Sequence, residues 1–200
     1  MSAQYISIDE QKKRIPGYKP EEAEKYHRES AKSADALFAH ALKEDQSTTV
    51  ILLCGGSASG KTEFCSEYLT DGQAIVYDGT LSSVHGAEVK LRNVHRARKK
   101  AVVVAVLPDD LKRAFSAFLL RDRQFSDEHF YRTHVGARKT LLWIAGNSPD
   151  TEIRLYESTY RHSSSLSFDS LEFKTKAELL AHLRAIQYTE DQIISLVTAS

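Results

Sequence analysis

Thr48-Thr49-Val50-Ile51-Leu52-Leu53-Cys54-Gly55-Gly56-Ser57-Ala58-Ser59-Gly60-Lys61-Thr62 is the stretch that decides the fold. Val50 to Cys54 is a short apolar run, enough for a strand buried on both faces. Gly55 to Thr62 then matches G-x-x-x-x-G-K-[ST], the phosphate-binding P-loop pattern. A helical pattern follows from Lys61 to about Leu69, so the motif has the strand before it and the helix after it that its chemistry needs. The glycines let backbone N–H groups turn inward around an anion. The helix N-terminus adds positive potential at the same point. Gly55, Gly56, Ser57, Ala58, Ser59, Gly60, Lys61 and Thr62 are therefore the expected nucleotide-binding set. In this pattern Lys61 reaches the β- and γ-phosphates and the Thr62 hydroxyl ligates Mg²⁺. ATP and GTP are equally compatible with it.

Outward from this stretch, composition sets limits. The chain has 200 residues, which suits one domain with helical additions. Its 27 basic and 27 acidic residues cancel, so no global field recruits nucleic acid or a membrane surface. Cys54 and Cys65 lack metal-ligand spacing, and nothing suggests a disulfide. No apolar run approaches a membrane span, and Met1 to Arg14 is polar, without a signal-peptide core. A cytoplasmic protein is the expectation.

Residues 1–18 read as a loose leader ending in Pro16-Gly17, and residues 19–200 as a single P-loop kinase-like domain. Pro20 opens a helical pattern that runs to about Glu44, with Tyr26, Ala34, Leu37, Phe38, Ala41 and Leu42 as an apolar stripe and a break near His27–Ser30 as one option. After the P-loop helix, Thr70-Asp71-Gly72 reads as a turn and Gln73 to Tyr77 as a strand ending in Asp78-Gly79-Thr80. A carboxylate at that strand end is what a P-loop enzyme needs near its Mg²⁺ or its attacking hydroxyl. A helix capped by Ser82 or Ser83 runs to about Lys99 and is basic from Lys90 to Lys100, read as a solvated face. Ala101 to Leu107 is a third buried strand, and Asp109 and Asp110 cap the helix that follows.

Arg121 to Asp127 is a charged, helix-breaking interval. Arginines projecting from it over a P-loop can clamp transferring phosphates; a surface ion-pair network with Asp122 and Asp127 is the competing reading. A helix from Asp127 to Ala145 carries His134 and Arg138, read as structural rather than cleft-facing. Glu152 to Tyr156 is a fourth strand, Tyr160 to Ser167 a polar serine-rich loop, and Lys176–Ala185 and Thr189–Val197 two tail helices. Alternating strands and helices give an α/β three-layer P-loop fold with a mostly parallel sheet, a helical N-terminal lead-in and a helical C-terminal tail. Ligands are expected at the strand carboxyl ends, where Gly55–Thr62, Asp78–Thr80 and Asp109 collect.

Three pieces resemble the zeta-toxin-like P-loop kinases, the toxin halves of bacterial toxin–antitoxin pairs and their relatives. They are Tyr26-His27-Arg28-Glu29-Ser30-Ala31 with Ala36-Leu37-Phe38, the P-loop as Gly-Gly-Ser-Ala-Ser-Gly-Lys-Thr, and Asp78-Gly79-Thr80-Leu81 with Arg121 and Arg123 further on. The resemblance implies Mg²⁺-dependent transfer of the γ-phosphoryl of ATP or GTP to a hydroxyl of a small molecule, a sugar nucleotide in the best-known members. It also implies an antitoxin or inhibitor protein as partner. Lys61, Asp78, Arg121 and Arg123 become the catalytic set, with Thr62 and Asp78 at the metal. The family places an aspartate base and a Glu-Gly-Thr at the ends of two different strands. Here only about ten residues separate the P-loop helix from Asp78. Either Asp78 serves both roles, or the substrate site has changed, or the base is lost. A nucleotide-binding ATPase or switch, and a polynucleotide 5′-kinase using the basic helix around Arg92–Lys100, are the alternatives.

Overall fold

The computed structural model describes residues 4–69 and 74–199. Within them lie strands β1 (Gln4–Ser7), β2 (Thr49–Cys54), β3 (Ala74–Asp78), β4 (Lys100–Pro108), β5 (Glu152–Thr159) and β6 (Ser167–Leu171). They form one sheet in the order β1-β3-β2-β4-β5-β6. The first five are parallel, and β6 closes one edge antiparallel to β5. The helices are α1 (Ile8–Lys13), α2 (His27–Glu44), α3 (Lys61–Tyr68), α4 (Val84–Arg96), α5 (Leu111–Leu119), α6 (Asp127–Asn147), α7 (Lys176–Ala185) and α8 (Glu190–Thr198). The expected turn at Thr70-Asp71-Gly72 and the strand's first residue, Gln73, fall outside the described residues.

Helices cover both faces of the sheet, so its central strands are apolar throughout rather than alternating. Val50, Leu52, Ile75 and Val103 face a core shared with α2, α4, α6 and α7. Their neighbours Ile51, Leu53, Val76, Val102 and Val104 face α3 through Phe64 and Cys65. A third cluster joins α5, α6 and α8 through Phe118, Phe130, Tyr131, Ile193 and Val197. This is the three-layer, mostly parallel α/β arrangement expected. Ser83, Asp110, Thr175 and Thr189 cap their helices with side-chain acceptors, the last in a full capping box.

The N-terminus departs from the expectation. Residues 4–13 are not loose: Tyr5 and Ile6 pair with Val76 and Tyr77, and Ser7 opposite Asp78 caps α1 through Asp9 N–H. Ile6 is buried, so one apolar residue and an open parallel edge on β3 are enough to dock the segment. Pro20 opens only a short 3-10 turn, Pro20–Glu22, and α2 begins at His27. The strand β6 was not legible, because Ser167-Phe168-Asp169-Ser170-Leu171 has three polar residues of five and is only partly buried at an edge. On the basic helix α4, Lys90 pairs with Asp35 and Arg92 with Glu88, and beyond its end Lys99 is spent on the carbonyls of Asp45 and Ser47. Among the described residues no helix is long and apolar enough to cross a membrane.

Candidate active site

Parallel pairing brings β1, β2 and β3 to the same carboxyl edge of the sheet, and each delivers polar groups there. From β2 the chain enters the P-loop. Ala58 (φ 59°) and Gly60 (φ 88°) take left-handed conformations that turn the loop back on itself and start α3 at Lys61. The loop is tied to β3 by Gly55 N–H donating to Thr80 O at 3.1 Å. Lys61 Nζ lies 2.8 Å from Gly55 O and 2.9 Å from Gly56 O. Burial pushes its pKa down, while Asp78 pulls it back up.

Beside the loop, a cleft is lined by Ser57, Ala58, Ser59, Lys61 and Thr62 from the P-loop, by Asp78, Gly79 and Thr80 from the end of β3, and by Arg121 and Arg123. The structure thus brings together residues more than sixty positions apart that the sequence marked separately. Burial pushes the Asp78 carboxyl up, against the pull of Lys61, and Tyr5 donates its hydroxyl proton to the carboxylate. Arg121 is half-buried, makes no salt bridge among the described residues and lines the cleft. Arg123 pairs with Asp9 rather than with Asp122 or Asp127, so the surface-network reading of that interval does not hold for it.

Sequence reasoning missed the opposite wall. Ile8, Asp9 and Lys12 of α1 line the same cleft, with His27, Phe125 and His129. Asp78 ends β3, and Asp9 stands two residues beyond its partner Ser7, in the first turn of the helix that follows β1. Burial alone would raise the Asp9 pKa, but Lys12 Nζ at 3.0 Å and Arg123 outweigh it and hold the carboxyl below its ordinary value. Lys12 is 1% exposed and lies 4.5 Å over the Phe125 ring, which stacks on His129. Burial, then His27, pushes His129 down to about 4, so it is neutral at pH 7. Ser7-Ile8-Asp9-Glu10 does carry a helix-start signal, a serine cap with acidic first-turn residues, but no local pattern says that this helix faces a P-loop.

On the other side of the P-loop a second hollow is bounded by Gly60, Glu63, Asp109, Arg113, Arg121, Tyr160 and Leu166. The Arg113 guanidinium lies 5.0 Å from the centre of the Tyr160 ring. Asp109 accepts from Thr159 Oγ1 at 2.7 Å, and Asp110 caps α5. Ala58 and Arg121 line both hollows.

The oxygen donors fit a hard cation. Thr62 and Asp78 share the cleft, and among the described residues no cluster of three His, Cys, Asp or Glu could hold a metal by protein ligands alone. One or two protein oxygens completed by phosphate is the usual manner of holding Mg²⁺.

No protein-family model and no curated protein matches the chain. Among solved structures it is similar to the crystal structure of AvrRxo1-ORF1:-ORF2 with ATP, with a TM-score of 0.55 and 12% identity, covering 80% of this chain and 71% of that one. It is also similar to the native AvrRxo1-ORF1:-ORF2 complex, with a TM-score of 0.50 and 12% identity, covering 78% of this chain and 72% of that one. The likeness is one of fold.

Proposed function

We propose that this protein is a Mg²⁺-dependent P-loop phosphotransferase of zeta-toxin type, moving the γ-phosphoryl of ATP to a hydroxyl of a small molecule, with a sugar nucleotide as one acceptor class. The observation that carries the reading is the convergence of Lys61, Thr62, Asp78, Arg121 and Arg123 on one cleft beside the P-loop. A similar structure holding ATP supports ATP as a donor.

In this reading the loop N–H groups and Lys61 hold the β- and γ-phosphates, and Thr62 and Asp78 hold Mg²⁺. When bound, Mg²⁺ neutralises charge on the transferring phosphates. The nucleoside lies in the hollow beside Arg113 and Tyr160, and the acceptor lies against α1. Asp78, with its raised pKa, and Asp9, kept ionised by Lys12 and Arg123, are the two carboxylates available to orient the acceptor hydroxyl and take its proton. The hydroxyl oxygen bonds to the γ-phosphorus as the bond to the β-phosphate bridge breaks, and ADP leaves. Arg121 and Arg123 meet the charge that develops on the equatorial oxygens. Asp9 in this reading answers the shortened segment after the P-loop helix: the second carboxylate comes from the first turn of α1 instead. In this reading β1 and α1 join residues 19–200 in one catalytic domain, which acts in the cytoplasm. The similar structures are complexes of two proteins, which supports an inhibitor of antitoxin type as partner.

The test is incubation with γ-labelled ATP, Mg²⁺ and a pool of small metabolites. Label in a new organic phosphate, absent with Lys61→Ala, is expected. Label released only as inorganic phosphate would favour a plain ATPase, and no release would end the reading.

A further inference from the structure

Beneath the P-loop, away from the cleft, α6 presents a buried polar pair. His134 is 0% exposed and Arg138 3% exposed. His134 Nε2 lies 2.8 Å from Ser57 O, and Arg138 Nη1 lies 3.2 Å from both His134 Nδ1 and His134 O. A carbonyl can only accept, so Nε2 carries the proton. Nδ1 then accepts from the guanidinium, which has no proton-free nitrogen to offer. The pair therefore admits one neutral tautomer of His134. Burial, then the adjacent guanidinium, pushes the His134 pKa well down, in keeping with that geometry. Thr133, one position earlier, accepts from Ser57 N–H at 3.1 Å. The imidazole also lies against Gly56, where any Cβ would overlap its ring.

Arg138 is the unexplained member. Its Nε has no hydrogen-bond partner, and among the described residues it has no carboxylate partner; its guanidinium rests on the Tyr188 ring, 5.4 Å from the centre. Burial pushes its pKa down to about 10. An interior cation without a counter-charge is costly and seldom kept for stability alone. Ser57, whose carbonyl the pair holds, also lines the cleft that Lys61 and Arg121 line.

We propose that His134 and Arg138 are positioning residues for a polyphosphate anion: Arg138 fixes the imidazole that fixes the Ser57 carbonyl, and its own charge is balanced by the bound phosphates. This rests on the P-loop reading above. It goes further by assigning part of the anion's binding energy to a residue that cannot touch it.

The test is calorimetric affinity for inorganic tripolyphosphate, with thermal unfolding measured with and without it. Arg138→Met keeps the stem and deletes the charge. It should bind tripolyphosphate about tenfold or more weakly and lose most of the ligand-induced rise in unfolding temperature. Arg138→Lys should recover part of the affinity by restoring the charge. A purely structural role predicts the reverse: ligand-free unfolding temperature falls and affinity of the folded protein stays within about twofold. That result would overturn the inference. If Arg138→Met does not fold, His134→Gln and His134→Leu decide. Gln keeps an N–H near Nε2 and should stay within about threefold of wild type, while Leu loses the donor and should bind about tenfold more weakly; equal affinities overturn it. A wild-type protein that binds no tripolyphosphate would overturn the P-loop reading itself, and this inference with it.

Discussion

The two walls of the cleft are written into the chain in different ways. The P-loop wall is nearly contiguous: β2 runs into Gly55–Thr62, and β3 ends in Asp78 soon after α3. Its parts announce themselves, because a glycine-rich loop between a buried strand and a helix has few other uses. The α1 wall is assembled by topology. Asp9 and Lys12 lie near the start of the chain, and Arg123, Phe125 and His129 lie more than a hundred residues later. They meet only because β1 pairs with β3 and α6 crosses the sheet behind the loop. A motif specifies where phosphate can bind. Pairing of an inconspicuous strand specifies what stands opposite it.

The largest expected effect is at Lys61. Lys61→Ala should lower nucleotide turnover by about a thousandfold or more, with circular dichroism and unfolding temperature close to wild type, because its ammonium bonds to loop carbonyls rather than to the core. Asp78→Asn, on the same wall, should lower turnover by about a hundredfold while calorimetry still detects ATP binding. Near-normal activity would reduce Asp78 to an Asp-Gly turn residue. Arg121→Lys and Arg123→Lys should each lower kcat about tenfold with little change in KM for ATP, since lysine keeps the charge and loses the planar fork. Arg123 also anchors Asp9, so its substitution should additionally raise KM for the acceptor.

The remaining prediction concerns stability and belongs to the α1 wall. His129 titrates at about 4 in the folded protein against an ordinary 6.5. A depressed folded pKa means that the unfolded chain takes up protons first as pH falls. Stability is therefore complete above about pH 6.5 and declines toward pH 4, by at most roughly 3 kcal/mol from this group. His27, also pushed down by burial, adds in the same direction. Urea unfolding of wild type and His129→Phe at pH 7 and pH 5 checks this. The variant should show the weaker pH dependence.

Much of the sheet was legible because buried parallel strands such as Ala101–Leu107 are apolar at every position. The caps at Ser83, Asp110 and Thr189 were legible because short polar side chains there satisfy free helix N–H groups. The edge strands were not. Gln4–Ser7 is four residues long with a single buried aliphatic side chain, and Ser167–Leu171 is three-fifths polar and only partly buried, so neither carries the run of apolar residues that marks a central strand. That is why Asp9 was out of reach while Asp78 was not. His134 and Arg138 were visible as polar positions on a helix, but their partner, the Ser57 carbonyl, is a backbone atom that no side-chain pattern reports.

If the two walls form one phosphoryl-transfer site, Asp9→Asn should disable it. The substitution keeps the size and removes the charge on the wall that no motif marks. Label transfer from γ-labelled ATP to the acceptor should fall by about a hundredfold, with ATP affinity within about threefold of wild type. Transfer at the wild-type rate would contradict the account, leaving α1 a structural edge of the sheet and the P-loop wall to work alone.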